Sequence, residues 1–319
     1  GDVPYITRSD VSNGLNLFVS ENQKVGFEKD SGNCITIGLD TQTVFYQPHE
    51  FYTGQNIQVL NYENCKKENA LFVTKLIQLQ MGKFNWGGNG ATLGRLSRTK
   101  ALLPVTSTGQ IDYDFMEEYI KEVEEHKLEE YLDFAAERLN ECKENARTVE
   151  QLEEKEWKPF EISEIFTFQK GNQNNMNILG DGNIPLISAK KINNGLKAFV
   201  SKNSKKHFEG NCITLNNDGD GGAGLAYYQP AFMAVDSHVT VLYSKLGLAK
   251  FSLLFLSRII SQQADRFGHA HSITQDRLKA YKLILPVDSA GNPDYSYMES
   301  YIKNLMAQKY TEYLEFRSK

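Results

Sequence analysis

Two stretches decide how this chain is built: RLSRTKALLPVTSTGQIDYDFMEEYI (95–120) and RLKAYKLILPVDSAGNPDYSYMESYI (277–302). Each runs from a short strand ending in Leu-Pro, through a Gly-containing turn, to an Asp and a helix opening with an aromatic residue and Met. They lie 182 residues apart, and the repetition extends outward. NCITIGLDTQTVFYQP (33–48) recurs as NCITLNNDGDGGAGLAYYQP (211–230), and PYITRSDVSNGLNLFVS (4–20) as PLISAKKINNGLKAFVS (185–201). A repeat of about 180 residues is the size of a domain, far above the 20–50 residues of a solenoid unit. The chain is therefore a tandem pair of related domains, as expected of a protein that grips two similar but unequal things.

The offset between copies shows where they diverge. It is 181 from Pro4/Pro185 to Ser20/Ser201, falls to 178 at Cys34/Cys212, and settles at 182 from Pro48/Pro230 to Phe134/Phe316. The changes fall in ENQKVGFEKDSG (21–32) and LNNDGDGGAGLA (215–226), whose Gly, Asn, Asp and charge mark surface loops. Residues 49–94 and 231–276 keep their length and lose most identity, which suits either two readers of different targets or drift after duplication. The second copy opens with WKPFEISEIFTFQKGNQNNMNILGDGN (157–183), which has no counterpart ahead of Gly1. The first closes with AAERLNECKENARTVEQLEEKE (135–156), with almost no counterpart after Phe316, so both ends read as trimmed.

With 40% apolar and 24% charged residues, 319 residues suffice for two soluble cores, and no apolar run reaches the length of a membrane span. Cys34 and Cys212 occupy equivalent places in the NCIT strand, while Cys65 and Cys142 complete the set without a CxxC or a Cys/His zinc spacing. Buried reduced thiols are expected, and with them a cytoplasmic location. The net charge of −5 is unevenly spread: residues 117–156 carry −9, residues 1–116 carry −1 and residues 157–319 carry +5.

The acidic segment reads as a helix. Met116, Ile120, Val123, Lys127, Tyr131, Ala135, Leu139, Cys142, Ala146, Val149 and Leu152 recur every three or four residues, and no Pro or Gly interrupts 113–157. Roughly 40 residues at 1.5 Å each make about 60 Å of helix, with the aliphatic stem of Lys127 lying along the seam. Met298, Ile302, Leu305, Lys309 and Tyr313 form the equivalent stripe near the C-terminus. Asp112 and Asp294 are candidate N-caps. The fold expected is α+β: two tandem related domains, each followed by a long helix, the helices pairing as an antiparallel coiled coil about a pseudo-twofold axis. Ile120, Val123, Tyr131 and Leu139 would pair with Ile302, Leu305 and Tyr313. The corresponding divisions are 1–115, 116–156 (long helix), 157–297 and 298–319 (second helix).

Motifs of chemistry are absent. There is no Asn-Pro-Pro-Tyr type motif of base methylation and no glycine-rich phosphate loop ending in Lys-Ser/Thr. DGDGGAG (218–224) starts like a calcium loop but has Gln229 where the bidentate Glu should stand. No metal site and no catalytic residue is expected.

Tandem domains that open near WKPFEISEIFTFQKG and close with SITQDRLKAYKLILPV ahead of a long helix resemble the specificity subunits of bacterial type I restriction-modification systems. The LPVDSAGNPDYSYMESYI turn and helix start resemble the BcgI-like branch in particular. The resemblance covers essentially the whole chain and rests on the order and spacing of segments. It implies two target recognition domains, each reading one half of a bipartite site in double-stranded DNA, with the helices setting the spacing and docking DNA methyltransferase subunits. A restriction or translocase subunit is a further possible partner. It implies a non-catalytic chain that binds no cofactor, with S-adenosylmethionine on the partner methyltransferase.

Base readout needs Arg, Lys, Asn or Gln presented from loops, with other cations on phosphates. The loops ahead of the Leu-Pro strand offer Asn85, Trp86, Asn89, Arg95 and Arg98 in the first copy, and Arg266, His269, His271, Gln275 and Arg277 in the second. The loop after the first shared strand adds Arg8 in one copy and Lys190 and Lys191 in the other. Arg95 and Arg277 are equivalent and suit phosphate, whereas residues that differ between copies suit bases. Two rivals stand beside this reading: a stand-alone DNA-binding regulator or anti-restriction protein, and a hydrolase or lectin-like module.

Overall fold

The structure, a computed structural model, describes residues 1–24, 26–84, 90–145, 147–218, 222–263 and 273–317. It divides into two compact units, Gly1–Leu132 and Asp133–Lys319. The first contains β1 (Val3–Ile6), β2 (Leu15–Val19), β3 (Cys34–Gly38), β4 (Val44–Gln47), β5 (Tyr52–Thr53), β6 (Ile57–Leu60), α1 (Lys67–Met81) and α2 (Leu93–Leu96), then most of α3 (Tyr113–Lys143). The second opens with β7 (Trp157–Glu161), α4 (Ile162–Ile165) and β8 (Phe166–Lys170). It then runs through β9 (Asp181–Ile187), β10 (Leu196–Val200), β11 (Cys212–Asn216), β12 (Ala226–Gln229), β13 (Ala234–Val235) and β14 (Val239–Ser244). It closes with α5 (Lys250–Ser261), α6 (Gln275–Lys279), β15 (Lys282–Pro286) and α7 (Tyr295–Arg317). This is the α+β mixture expected, and the elements recur in the same order. Among the described residues no helix is long and apolar enough to cross a membrane.

The two frames share topology and register. In the first unit β1 lies between β2 (antiparallel) and β5 (parallel), and β3 lies between β4 and β6. In the second, β9 lies between β10 and β13, and β11 between β12 and β14. Cys34 pairs with Gln47 and Ile37 with Val44, as Cys212 pairs with Gln229 and Leu215 with Ala226. Ile35 and Ile37 bury against Val44, Ala70 and Met81, so α1 covers the first sheet. Ile213, Leu215 and Leu242 bury against Leu253, Leu256 and Ile260 of α5.

A polar clasp explains why particular residues recur. Asn13 and Asn194 stand in the left-handed region (φ 57° and 54°), which Asn tolerates better than most residues. Asn13 Nδ2 donates to Tyr46 O (2.8 Å), while the buried Gln47 Nε2 donates to Asn13 O (3.1 Å) and Thr36 Oγ1 (3.0 Å). Asn194 Nδ2 donates to Tyr228 O (2.8 Å), and Gln229 Nε2 to Asn194 O (2.9 Å) and Thr214 Oγ1 (2.9 Å). Each clasp ties the turn after the first strand to the second hairpin with its buried amide satisfied. Cys34 and Cys212 are buried free thiols in matching strands. Burial pushes them up to about 11 and about 12 respectively.

Two strand pairs of the second unit have no counterpart among the described residues of the first. β7 pairs with β15, and β8 pairs with β14. In the first unit, the 100–104 stretch equivalent to β15 is not a strand, and Leu102 is 94% exposed.

The helices start as expected. Phe115 N donates to Asp112 Oδ1 (3.0 Å), and Tyr297 N to Asp294 Oδ1 (2.9 Å). Asp294 also holds Lys155 at 2.9 Å. The long helix departs from expectation: α3 ends at Lys143, not at 156 or 157. Asn145 turns left-handed at φ 54°. Beyond it, side chains of α7 take the backbone carbonyls, with Lys303 Nζ on Glu144 O (3.2 Å), Asn304 Nδ2 on Arg147 O (2.8 Å) and Tyr297 OH on Glu150 O (3.1 Å). Tertiary hydrogen bonds therefore override local helix propensity here. The order of these contacts makes this segment run antiparallel to α7 within the second unit.

The helical stripe is buried at Met116, Ala135 and Cys142 and half-buried at Ile120 and Leu139. Val123 and Tyr131 are exposed, and so is Lys127, which pairs with Glu130 (2.7 Å) instead of lying in a seam. On α7, Ile302 packs on the core of its own unit, Tyr313 is half-buried and Leu305 is exposed.

Candidate nucleic-acid interface

In each unit three segments meet at one edge of the frame: the loop after the first shared strand, the loop after the NCIT strand, and the entry to the short helix. In the first unit Ala91 N donates to Leu39 O (3.3 Å), and in the second Ile273 N donates to Asn217 O (3.0 Å). Leu39 and Asn217 are equivalent positions, as are Ala91 and Ile273, so the junction is part of the shared frame.

The first unit's edge is compact. Gly38 N donates to Thr43 O (2.8 Å) and Gln42 N returns to Gly38 O (3.0 Å), closing the loop tightly. Arg8 forms an ion pair with Asp40, and Asn56 Nδ2 approaches the same carboxylate at 3.5 Å. Arg95 is half-buried in α2 and donates to Gly90 O (3.0 Å), whereas Arg98 just beyond α2 is exposed.

In the second unit the loop is longer, and polar side chains hold the lysine loop from beneath. Asn216, fully buried, donates from Nδ2 to Lys190 O (3.1 Å) and Gly222 O (3.1 Å). Tyr227 OH donates to Lys191 O (2.8 Å), and burial raises its pKa, which keeps it a donor. Lys190 is half-buried and Lys191 exposed, and among the described residues neither forms an ion pair. Asp218, the counterpart of Asp40, instead meets His238 Nδ1 (2.9 Å), the counterpart of Asn56. That hydrogen bond raises the His238 pKa. Asn217 Oδ1 accepts from Thr240 Oγ1 (2.7 Å) beneath this pair. Thr274 caps α6 by accepting from Arg277 N (3.3 Å), and Arg277 is exposed on that helix.

The structure thus brings Arg8 together with the entry to α2, and Lys190 and Lys191 together with the entry to α6. Gln275 is the first residue of α6. Asn85, Trp86, Asn89, Arg266, His269 and His271 lie outside the described residues. The calcium-like stretch 218–224 lies partly outside them, and among those described no group of three or more acidic, Cys or His side chains could hold a metal. The supporting residues Asp40, Asn216, Tyr227 and His238 were not singled out from the sequence. For Asn216 the signal was the change of offset at 215–226, which marks where the second edge was rebuilt.

A family model described as type I restriction modification DNA specificity domain matches residues 1–131 and again 154–314. The chain belongs to this family. The double match coincides with the two copies read from the repeat, and it agrees with the resemblance drawn from the closing motifs. A curated relative from Heyndrickxia coagulans, the type II restriction enzyme specificity subunit S.BcgI, is 28% identical over 306 residues, 95% of this chain and 85% of the relative. A type I restriction-modification S subunit from M. genitalium aligns over 99% of this chain and 85% of its own, with 12% identity and a TM-score of 0.45. The HsdS subunit from Thermoanaerobacter tengcongensis aligns over the same shares with 10% identity and a TM-score of 0.37.

Proposed function

We propose that this chain is the non-catalytic DNA-reading subunit of a restriction-modification enzyme, with each unit reading one half of a bipartite duplex target. The observation that carries this reading is the pair of equivalent three-segment edges. The frame beneath them shares its strand register and the buried Gln47 and Gln229 clasps, yet the side chains on top differ: Arg8 is held by Asp40 in one unit, while in the other Lys190 and Lys191 form no ion pair among the described residues. Family membership and the curated relative support the same reading.

In this reading the differing edge residues contact bases, while the equivalent Arg95 and Arg277 serve phosphates. The helices α3 and α7 set the half-site spacing and dock methyltransferase subunits. S-adenosylmethionine and the methyl-transfer chemistry belong to those partners, and a restriction or translocase subunit joins them.

Deleting the gene and sequencing the host genome with detection of methylated bases tests this. The expected result is loss of one bipartite methylated motif, together with co-purification of a methyltransferase on the tagged full-length chain. An unchanged methylome at an expressed locus with no such partner would refute it.

A further inference from the structure

The second unit carries positive charge that the three-segment edge does not use. From residue 182 to 208 there are six lysines and no acid. Lys202, Lys205 and Lys206 fall on one loop after β10, and that loop is laced onto the amide-rich stretch QKGNQNN (169–175) that ends β8 and continues beyond it. Asn172 Nδ2 donates to Lys206 O (3.0 Å), and Asn203 Oδ1 accepts from Lys205 N (2.9 Å). Lys205 Nζ donates to Asn172 O (2.9 Å) and onto Asn174 Oδ1, and Lys206 Nζ donates to Gln169 Oε1 (2.6 Å). Every acceptor in this set is uncharged, and among the described residues none of these lysines forms an ion pair. A cluster of like charges with no counter-charge repels itself and attracts polyanions.

The cluster is also tied to the Lys190–Lys191 edge by backbone hydrogen bonds. Asn172 N and Gln173 N both donate to Val235 O (2.9 Å each), and Ser237 N donates back to Gln173 O (2.9 Å). Gly171 passes so close to this turn that an added Cβ would lie 2.0 Å from Asp236 O. The same turn binds Ile187 O through Asp236 N (2.9 Å), at the end of the strand from which the Lys190–Lys191 loop departs. Its His238 O accepts from Asn217 N (2.9 Å), on the loop that also carries Asp218. One continuous run of hydrogen bonds therefore joins the two lysine groups. On the corresponding loop of the first unit the sequence sets Lys24 and Lys29 among Glu21, Glu28 and Asp30, and Lys29 is held by Glu21 (2.6 Å) and Glu50 (2.9 Å).

We infer that Lys202, Lys205 and Lys206, with the Asn172–Asn174 amides, form a phosphate-binding strip that extends the Lys190–Lys191 edge along the DNA duplex in the second unit alone. The inference rests on the DNA-reading function proposed above. Lysine ammoniums on a braced loop suit the phosphodiester backbone, which carries no sequence information, so the strip adds affinity without changing which bases are read.

The test uses the full-length chain and a random-sequence 40-bp duplex, with binding followed by fluorescence anisotropy from 50 to 200 mM salt. Lys202 and Lys206 are exposed and are replaced together by Gln. Losing two phosphate contacts makes the log–log salt slope shallower by about 1.8. Over that fourfold salt range the wild type then loses about 12-fold more affinity than the variant. The Lys202→Arg/Lys206→Arg pair restores the slope. An unchanged slope in the Gln variant, while Lys190→Gln/Lys191→Gln weakens binding, overturns the strip and leaves the DNA-reading function standing. Equal losses in the Gln and Arg pairs overturn it as well, since that result marks a structural role. Failure of the wild type to bind any duplex overturns both, and binding of single-stranded RNA alone points to a different polyanion.

Discussion

Replacing Gln229 by Met tests whether the repeated clasp organises the fold. Met keeps the volume and removes the amide. Asn194 O and Thr214 Oγ1 then lose donors at 2.9 Å each, at a site where Gln229 is 4% exposed. Asn194 Nδ2 keeps its bond to Tyr228 O at 2.8 Å, so two acceptors rather than three groups are orphaned. At about 1–1.5 kcal/mol per bond broken with a buried partner left behind, the loss is about 2–3 kcal/mol. The same arithmetic applies to Gln47→Met, where the bonds are 3.1 and 3.0 Å and exposure is again 4%. Hydrogen exchange read by mass spectrometry follows the strand amides of β3 and β11 separately. Protection should fall about 30- to 150-fold in the mutated unit, at about 1.4 kcal/mol per tenfold. A fall below about threefold in both variants would refute the argument that the clasps hold the frames. A large loss in one unit and none in the other would refute their equivalence.

Removing helix caps gives a second test: Asp112→Ala should cost about 1 kcal/mol by thermal or urea unfolding. Asp294→Ala should cost more, because Asp294 also holds Lys155 at 2.9 Å, and Asp294→Asn should recover the cap but not the ion pair. Cys34 and Cys212, pushed up to about 11 and about 12 by burial, should resist iodoacetamide at pH 8 in the native protein and react once urea unfolds it. The His238–Asp218 pair predicts a pH dependence with a definite sign, because the folded His238 pKa is raised. Its stabilisation is fully present below the unfolded value of about 6.5 and is lost as pH rises through the higher folded value. An NMR titration of the His238 ring in wild type and Asp218→Asn should show the variant titrating lower, and coincident curves would contradict the pairing.

Much of the frame was legible in the sequence because it was written twice. The repeat marked the NCIT strand in both copies, observed as Cys34–Gly38 and Cys212–Asn216, and Asp112 and Asp294 cap as their turn chemistry suggested. The helix end at Lys143 was not legible. Heptad-like spacing continued through Leu152, while what stops the helix is distant in sequence: Lys303, Asn304 and Tyr297 on α7. Lys127 likewise fell on the stripe by spacing alone, and Glu130 draws it outward. For the candidate edge, residue type and position singled out Arg8, Lys190 and Lys191, which the fold brings to equivalent loops. Pairing partners escaped, because only a folded edge shows that Asp40 occupies Arg8 while its counterpart Asp218 turns to His238.

The two edges differ in loop length and charge while the fold beneath them persists. Strand register on both sides of the altered hairpin is the same in the two units, from Cys34/Gln47 to Ile37/Val44 and from Cys212/Gln229 to Leu215/Ala226. The four additional residues of the second unit therefore lie wholly in the hairpin loop. A one-residue slip would have turned every inward side chain outward. The clasp prevents such a slip by fixing Gln47 and Gln229 to the strand and to the preceding turn at once. Residues that hold register are consequently separate from the loop residues at the edge, and the loops are free to vary in length and charge. An edge transplant should then be tolerated: placing residues 217–225 into the first unit between Gly38 and Val44 should leave β3–β4 pairing intact while altering DNA preference. Loss of β3 protection in that chimaera, beyond what a longer hairpin loop costs (about 0.6 kcal/mol per doubling of length), would show that loop and frame are coupled after all.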